Sequence, residues 1–279
     1  MLMPIKLMYI TNDHNVASIA QDAGTDRIFI DLEVLGKQER QRYVDSVKSD
    51  HTIEDVAQIK AILNRSELLV RVNPMNPGSK QEIDRVIDNG ADVVMLPMFK
   101  TAEEVKQFIG FVRGRARACL LLETKEADES LDSILALGGI DEVLIGLNDL
   151  HLSYHKTFMF ELLADGTVER ICEKLRRKNL FYGFGGIARI GYGVLPAENI
   201  LAEHYRLGSQ MVILSRSFCD AHQIQDLEII KDRFFNGISS IRLYEDRYAD
   251  WTLNQFSANQ IIVRDYVKKI VDAMKAKAT

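Results

Sequence analysis

Short apolar runs punctuate the chain at IKLMYI, RIFIDLE, ELLVRVN, DVVMLPMF, RACLLLE, DEVLIGL, LFYGFGG and QMVILS. Most are near-continuous rather than alternating, the pattern of strands covered on both faces in a parallel sheet. Between them lie amphipathic stretches of helical length. HNVASIAQDAG closes on Gly24, a residue suited to the position just past a helix C-cap. TIEDVAQIKAILN opens on Thr52 with Asp55 in capping-box spacing, SKQEIDRVIDNGA on Ser79 with Glu82, and TAEEVKQFIGFVRG on Thr101 with Glu104. ADESLDSILALGG, GTVERICEKLRRKN and AENILAEHYRLG supply further helices. Helices that close on NGAD, LGGIDE or RLGSQ lead straight into the next strand, as in a βαβ series.

Eight strands in this order within 279 residues predict a (β/α)8 TIM barrel. An open doubly wound sheet is the rival. Its dinucleotide-binding form carries a glycine fingerprint after strand one, where this chain reads ITNDHNVAS. The chain is expected to form one domain, with the barrel strands and helices within residues 1–221. Residues 222–279 read as an extended C-terminal helical segment: IQDLEIIKDRFFNG as one helix, a polar link, then a long helix anchored by Trp251, Phe256 and Tyr266. That segment is expected to pack on the barrel or on a neighbouring subunit.

Composition narrows the function classes. Hydrophobic residues make up 47% of the chain, enough for a core without staples. The net charge is −5 with no basic stripe, which argues against nucleic acid; Arg113, Arg115 and Arg117 read as a solvated helix end. No apolar run is long enough for a membrane span, and the N-terminus lacks a signal-peptide pattern. The three cysteines form no metal-type pair or disulfide framework, so a cytoplasmic location is expected, with Cys119 and Cys172 as core residues.

Barrel chemistry sits at the C-terminal ends of the strands. There the sequence places Asp31 and Glu33, Arg71 and Asn73, Pro97, Glu123, Asp149, Gly185 and Gly186, and Ser215, Arg216 and Ser217. Glu123 and Asp149 end neighbouring strands roughly 5 Å apart. Carboxylates that close repel unless a proton or cation lies between them, so they either hold a divalent ion or serve as loop acids and helix caps. Arg71, inside LLVRVN, is either a bidentate clamp for a substrate carboxylate or half of an internal salt bridge to Asp31 or Glu33; the two roles are compatible. Gly185 allows close approach of backbone to a ligand, and Ser215 with Arg216 offers an anion site or a plain helix cap. His151 and His155, in DLHLSYHK, read as loop residues near the site, one of them available as acid or base.

Several of these segments together resemble the superfamily of class II pyruvate aldolases and citrate lyase beta-subunits. The resemblance runs from about Asp26 to Phe218, through FIDLEVLGKQERQR, LLVRVNP, GADVVMLPMFKTAEEV and, most strongly, LLLETKEADESLDSILALGGIDEVLIGLNDL. It implies a divalent metal, Mg2+ before Mn2+ or Co2+, on Glu123 and Asp149, with the substrate carboxylate on Arg71 and on backbone amides near Pro97. The implied reaction is carbon–carbon bond cleavage or formation through the enolate of a pyruvate-like 2-oxo acid. Assembly as a trimer or hexamer is implied as well. The chain departs from the family pattern at Val34, where aldolases carry histidine and citrate lyases an acid, and at Leu121 and Met98; GFGGIARIGYGVLPAENILAEHYRLGSQMVILSRSF departs as well and reads as the mark of a distinct, divergent subgroup. Glu33 and His151 remain the candidates for proton handling. An acyl-thioester lyase or phosphoenolpyruvate-linked enzyme of the same superfamily, and a non-catalytic oxo-acid-binding protein, are the alternatives.

Overall fold

Period-two alternation, hidden in the sequence because both strand faces are largely apolar, decides what fills the centre of the molecule. The structure, a computed structural model, describes residues 4–36 and 50–278. Its strands are β1 (Lys6–Ile10), β2 (Arg27–Asp31), β3 (Glu67–Arg71), β4 (Val93–Leu96), β5 (Arg117–Leu122), β6 (Glu142–Ile145), β7 (Phe181–Ile187) and β8 (Met211–Leu214). They pair in parallel and in chain order, and β8 closes on β1. This is the expected (β/α)8 barrel.

The alternation sorts each strand into three levels. Arg27, Phe29 and Asp31 of β2 lie in register with Glu67, Leu69 and Arg71 of β3. The middle level is an apolar plug of Met8, Phe29, Leu69, Val93, Cys119, Leu144 and Met211. Below it, at the N-terminal end, lies a cluster of ion pairs. Arg27, with no exposed surface, reaches both carboxylate oxygens of Glu142 at 2.5 and 2.6 Å and Glu67 at 2.7 Å. Arg117 adds contacts of 2.8 Å to Glu67 and 3.4 Å to Glu142. Arg117 therefore opens β5 and does not end a solvated helix. Above the plug, Asp31 and Arg71 stand at the C-terminal end. Intervening residues such as Ile28, Ile30, Leu68 and Val70 join the shell between barrel and helices.

That shell is covered by α1 (His14–Asp22), α2 (Ile53–Ile62), α3 (Ser79–Asp88), α4 (Ala102–Val112), α5 (Lys125–Glu129), α6 (Leu131–Ile134), α7 (Leu147–Ser153), α8 (Glu161–Ala164), α9 (Thr167–Arg177) and α10 (Ala197–Leu207). The boxes at Thr52–Asp55 and Thr101–Glu104 form, and Gly24 follows α1 at φ +101°. Ser79 departs from expectation. The N-cap is Gly78, and the Ser79 hydroxyl accepts from the Asn76 amide at 2.9 Å, while Glu82 accepts from Asn73. ADESLDSILALGG breaks into α5 and α6 around Ser130 instead of forming one helix.

The C-terminal segment also differs from its reading. A single helix, α11 (Leu227–Ala249), runs through the stretch expected to be a link, and Asp250–Thr252 alone separates it from α12 (Leu253–Ala278). The charges of YEDRYA lie on a helix whose other face buries Ile238, Ile241 and Tyr248. α11 packs on α1, and α12 packs on α8 and α10 of the same chain. Trp251 and Phe256 meet edge to face at 5.2 Å, as anchors should. Tyr266 is 42% exposed, and Val263, Val267 and Val271 take its place in the interface. Among the described residues, no helix is long and apolar enough to cross a membrane.

Candidate active site

A cavity of about 350 Å³ opens at the C-terminal end of the barrel, lined from the ends of every strand except β4. Strand ends bring Glu33, Arg71, Glu123, Asp149, Gly185, Ser215 and Arg216 to its wall, all positions singled out from the sequence. Each arrives for a local reason. Asp31 and Arg71 are paired in the β2–β3 register, and the guanidinium meets Asp31 through Nε and Nη2, both at 2.8 Å. Nη1 lies 3.4 Å from Glu33. The internal salt bridge is thus real, and it spends the Nε/Nη2 edge while holding the plane of Arg71 fixed.

Glu123 follows β5 and is almost completely buried. Its Oε1 accepts from the Met98 amide at 3.1 Å. Met98 adopts a left-handed φ of +54°, uncommon for a residue with a Cβ. The turn at Pro97 therefore serves to aim an amide at Glu123. Pro97 itself is not among the cavity-lining residues, and the amide next to it is committed to a protein carboxylate, not left for a ligand. Gly146 makes room on the other side, since a Cβ there would stand 2.9 Å from Oε2 of Glu123.

Burial pushes the Glu123 carboxyl well above the usual range, and the nearby charges of Asp149 and Glu33 push it further, against the pull of Arg71. Among the described lining residues, Asp31, Glu33, Glu123, Asp149 and Asp220 face Arg71 and Arg216. Such an excess of carboxylates is stable when a proton or a cation enters it. No group of three or more His, Cys, Asp or Glu side chains among the described residues is arranged to hold a metal unaided. A pair of carboxylates on an open cavity nevertheless suits a hard ion such as magnesium, which keeps several waters and takes few protein ligands.

The histidines fall differently from expectation. Residues 147–153 form α7, not a loop. His151 is buried on it, its Nδ1 lies 3.1 Å from the Leu147 carbonyl, and it is not among the lining residues. His155 sits in the turn after α7 at φ +54°. The imidazoles that line the cavity are His51 and His222. His51 is 8% exposed, and its Nδ1 accepts from the Asp31 amide at 2.9 Å. Sequence reasoning passed over it because it stands off any strand end, directly before the cap Thr52. Tyr9 also reaches the cavity, but its hydroxyl donates to the Cys219 carbonyl at 2.9 Å, and burial pushes the phenol up, out of acid–base range.

Residues 6–159 match the model of a family described as HpcH/HpaI aldolase/citrate lyase. The 2-keto-3-deoxy-L-rhamnonate aldolase of Salmonella paratyphi B is 31% identical over 169 residues, covering 50% of this chain and 57% of that protein. The chain thus spans little more than half the length of the curated relatives it matches. An HpcH/HpaI aldolase/citrate lyase family protein from Burkholderia cenocepacia superposes with a TM-score of 0.62 at 16% identity, over 82% of this chain and 95% of that one. An HpcH/HpaI aldolase from Desulfitobacterium hafniense gives 0.59 at 17% identity, over 86% and 93%. At these identities the two structures speak to the fold alone.

Proposed function

Because the chain belongs to the HpcH/HpaI aldolase/citrate lyase family, we propose that it is a carbon–carbon lyase of aldolase type. It makes or breaks the bond next to the keto group of a small, pyruvate-like 2-oxo acid, and it uses a divalent ion, magnesium first, on Glu123 and Asp149. The observation that carries this reading is the gathering of carboxylates around Arg71, which Asp31 holds fixed at the cavity wall. An anionic substrate can enter such a site when a cation offsets the acids, and Arg71 supplies a fork for its carboxylate. The relative from Salmonella paratyphi B, named for an aldolase of a 2-keto-3-deoxy acid, supports the same substrate class. The departures at Val34, Met98 and Leu121 support reading the chain as a divergent subgroup of the family.

Each residue has a role in this scheme. Arg71 takes the substrate carboxylate on its Nη1/Nη2 edge, and Asp31 keeps the plane of the guanidinium from turning away. Glu123, oriented by the Met98 amide, and Asp149 hold the ion. A bound ion there supplies Lewis-acid polarisation of the keto group and offsets enolate charge. Gly185, at φ +51°, and Gly186 keep side chains off the floor, so a compact substrate can lie against backbone. Leu121, Leu144 and Leu147 give the remaining wall an apolar lining that limits water.

The test is deuterium exchange into the methyl group of pyruvate, followed by NMR with magnesium or manganese. The expected result is metal-dependent exchange that falls about a hundredfold in Glu123→Gln, together with loss of Mn2+ binding measured by calorimetry. Pyruvate binding without exchange in any metal would sink the lyase reading.

A further inference from the structure

We infer that the second reactant, the aldehyde joined to or released from the 2-oxo acid, carries an alkyl carbon next to its carbonyl, and that Ile10 and Ile213 select it. The inference rests on the lyase reading and names the substrate class of the same site.

Period-two alternation puts the two isoleucines on the inner face of the barrel. Met8 and Met211 belong to the apolar plug, and Ile10 and Ile213 stand two residues beyond them towards the C-terminal end. They lie on neighbouring strands, since Met8 pairs with Ile213 in the β1–β8 register. Both pack against the plug, stay partly exposed and line the cavity. On the far side of β8, β7 brings only Gly185 and Gly186 to the wall. The result is an apolar ledge on the arc from β7 through β8 to β1.

Bonding geometry turns the 2-oxo acid towards that ledge. Its keto carbon is trigonal, with the carboxylate, the oxygen and the methyl carbon spread about it in one plane. Under the lyase reading, Arg71 at the end of β3 takes the carboxylate. The ion on Glu123 and Asp149, which follow β5 and β6, takes the oxygen. In a closed ring of eight strands, the direction away from both anchors falls between β8 and β1. The methyl carbon therefore faces Ile213 and Ile10. It gives up a proton and attacks the aldehyde carbon, and the carbonyl electron pair moves onto the aldehyde oxygen, which takes up a proton. One proton leaves and one enters, both through solvent water, so the condensation balances with no further reactant.

The carbon beside the aldehyde carbonyl thus meets two isoleucines. A hydroxyl on it would be buried there without a hydrogen bond, whereas a methyl group gains from leaving water. Among the described residues, the polar side chains of this arc are engaged or stand higher. Tyr9 spends its hydroxyl on the Cys219 carbonyl. Asp31 holds Arg71 with both carboxylate oxygens. Ser215 lies two residues beyond Ile213, roughly 7 Å further up the strand direction, and Arg216, Asp220 and His222 follow it in the loop after β8.

The test is condensation of pyruvate with propanal or glycolaldehyde, two aldehydes that exchange a methyl group for a hydroxyl, by the full chain with magnesium. The parent should favour propanal by about ten- to a hundredfold in kcat/KM. Ile213→Thr, which sets a hydroxyl into the ledge, should cut that preference about tenfold. Ile213→Val, of the same shape as the threonine variant, should keep it within about threefold. A preference is a ratio within one protein, so it does not depend on how much of each variant folds. Methyl-proton exchange in pyruvate by a parent that takes glycolaldehyde as well as propanal, or takes neither, overturns the inference and leaves the lyase reading standing. Threonine as selective as isoleucine, or valine as unselective as threonine, overturns it too. A parent that neither exchanges the methyl protons nor condenses either aldehyde overturns the lyase reading, and this inference with it.

Discussion

His204, in the last turn of α10, is fully buried, stacks on Phe184 with ring centroids 3.8 Å apart, and places Nδ1 2.7 Å from the Ser209 hydroxyl. Its Nε2 is buried with no partner. Burial holds its pKa down at about 3. The folded chain thus refuses a proton that the unfolded chain accepts below the ordinary histidine value of about 6.5. Its contribution to stability is present above that value and drains away as the pH falls from there towards the folded pKa. Urea midpoints measured from about pH 7 down to about pH 4.5 should decline, and the decline should be shallower in His204→Phe. Equal slopes in the two proteins would show that other groups set the acid limit. The contrast with His51 is one of environment. A sequence displays six histidines alike, and no periodicity separates one stacked in a shell from one whose ring caps a strand amide beside a cavity. Arg71, Glu123 and Asp149 were legible because charge is out of place at the end of an apolar strand. His51 was not, because a histidine before a helix cap is ordinary.

Elements show where pattern succeeds and where it misleads. The eight strands were readable because a run covered on both faces stays apolar, but the same property concealed the inward series Arg27–Phe29–Asp31 and Arg117–Cys119–Leu121–Glu123. Both lie in plain view at a spacing of two. α7 was read as a loop because DLHLSYHK is short and polar, while its helical register depends on burying Leu147 and Leu150 against the barrel. The glycines of β7 have a similar dependence on their neighbours. The β7–β8 register shifts between Gly183 and Gly186, and a Cβ on Gly183 would stand 1.9 Å from the Met211 carbonyl oxygen. That oxygen belongs to the backbone of the adjacent strand and cannot swing aside. Gly183→Ala should cost at least about 3 kcal/mol, at the upper end for overpacking, read as a lower urea midpoint or as loss of soluble protein. A variant as stable as the parent would mean that the two strands can separate locally without loss.

At the scale of the whole molecule, the barrel is closed at its N-terminal end by charge. Arg27 is completely enclosed, and Glu142 answers it with both oxygens. Glu67, held by Arg27, Lys6 and Arg117, has its pKa lowered to about 2 by those partners, against the opposing effect of burial. Removing one member leaves its counterpart charged and enclosed. Glu142→Gln should therefore cost about 3–5 kcal/mol, whereas the joint change Arg27→Met with Glu142→Leu should recover much of that loss. Denaturant titration of the three proteins decides the matter, and equal losses in single and double variants would contradict it. Chain order and fold were legible because each βαβ unit repeats the same local grammar, whereas this base joins residues separated by up to 115 positions, which no local window can see.

That closed base has a bearing on traffic. With ion pairs at one end and Phe29, Leu69 and Leu144 filling the middle, the interior is a packed core and not a passage. Among the described residues, the buried carboxylates are approached from the C-terminal end of the barrel. Under the proposed reaction, the molecule seated deepest boards first and departs last, so the sequence of arrivals is dictated from the far end of the barrel, by residues that never touch a reactant.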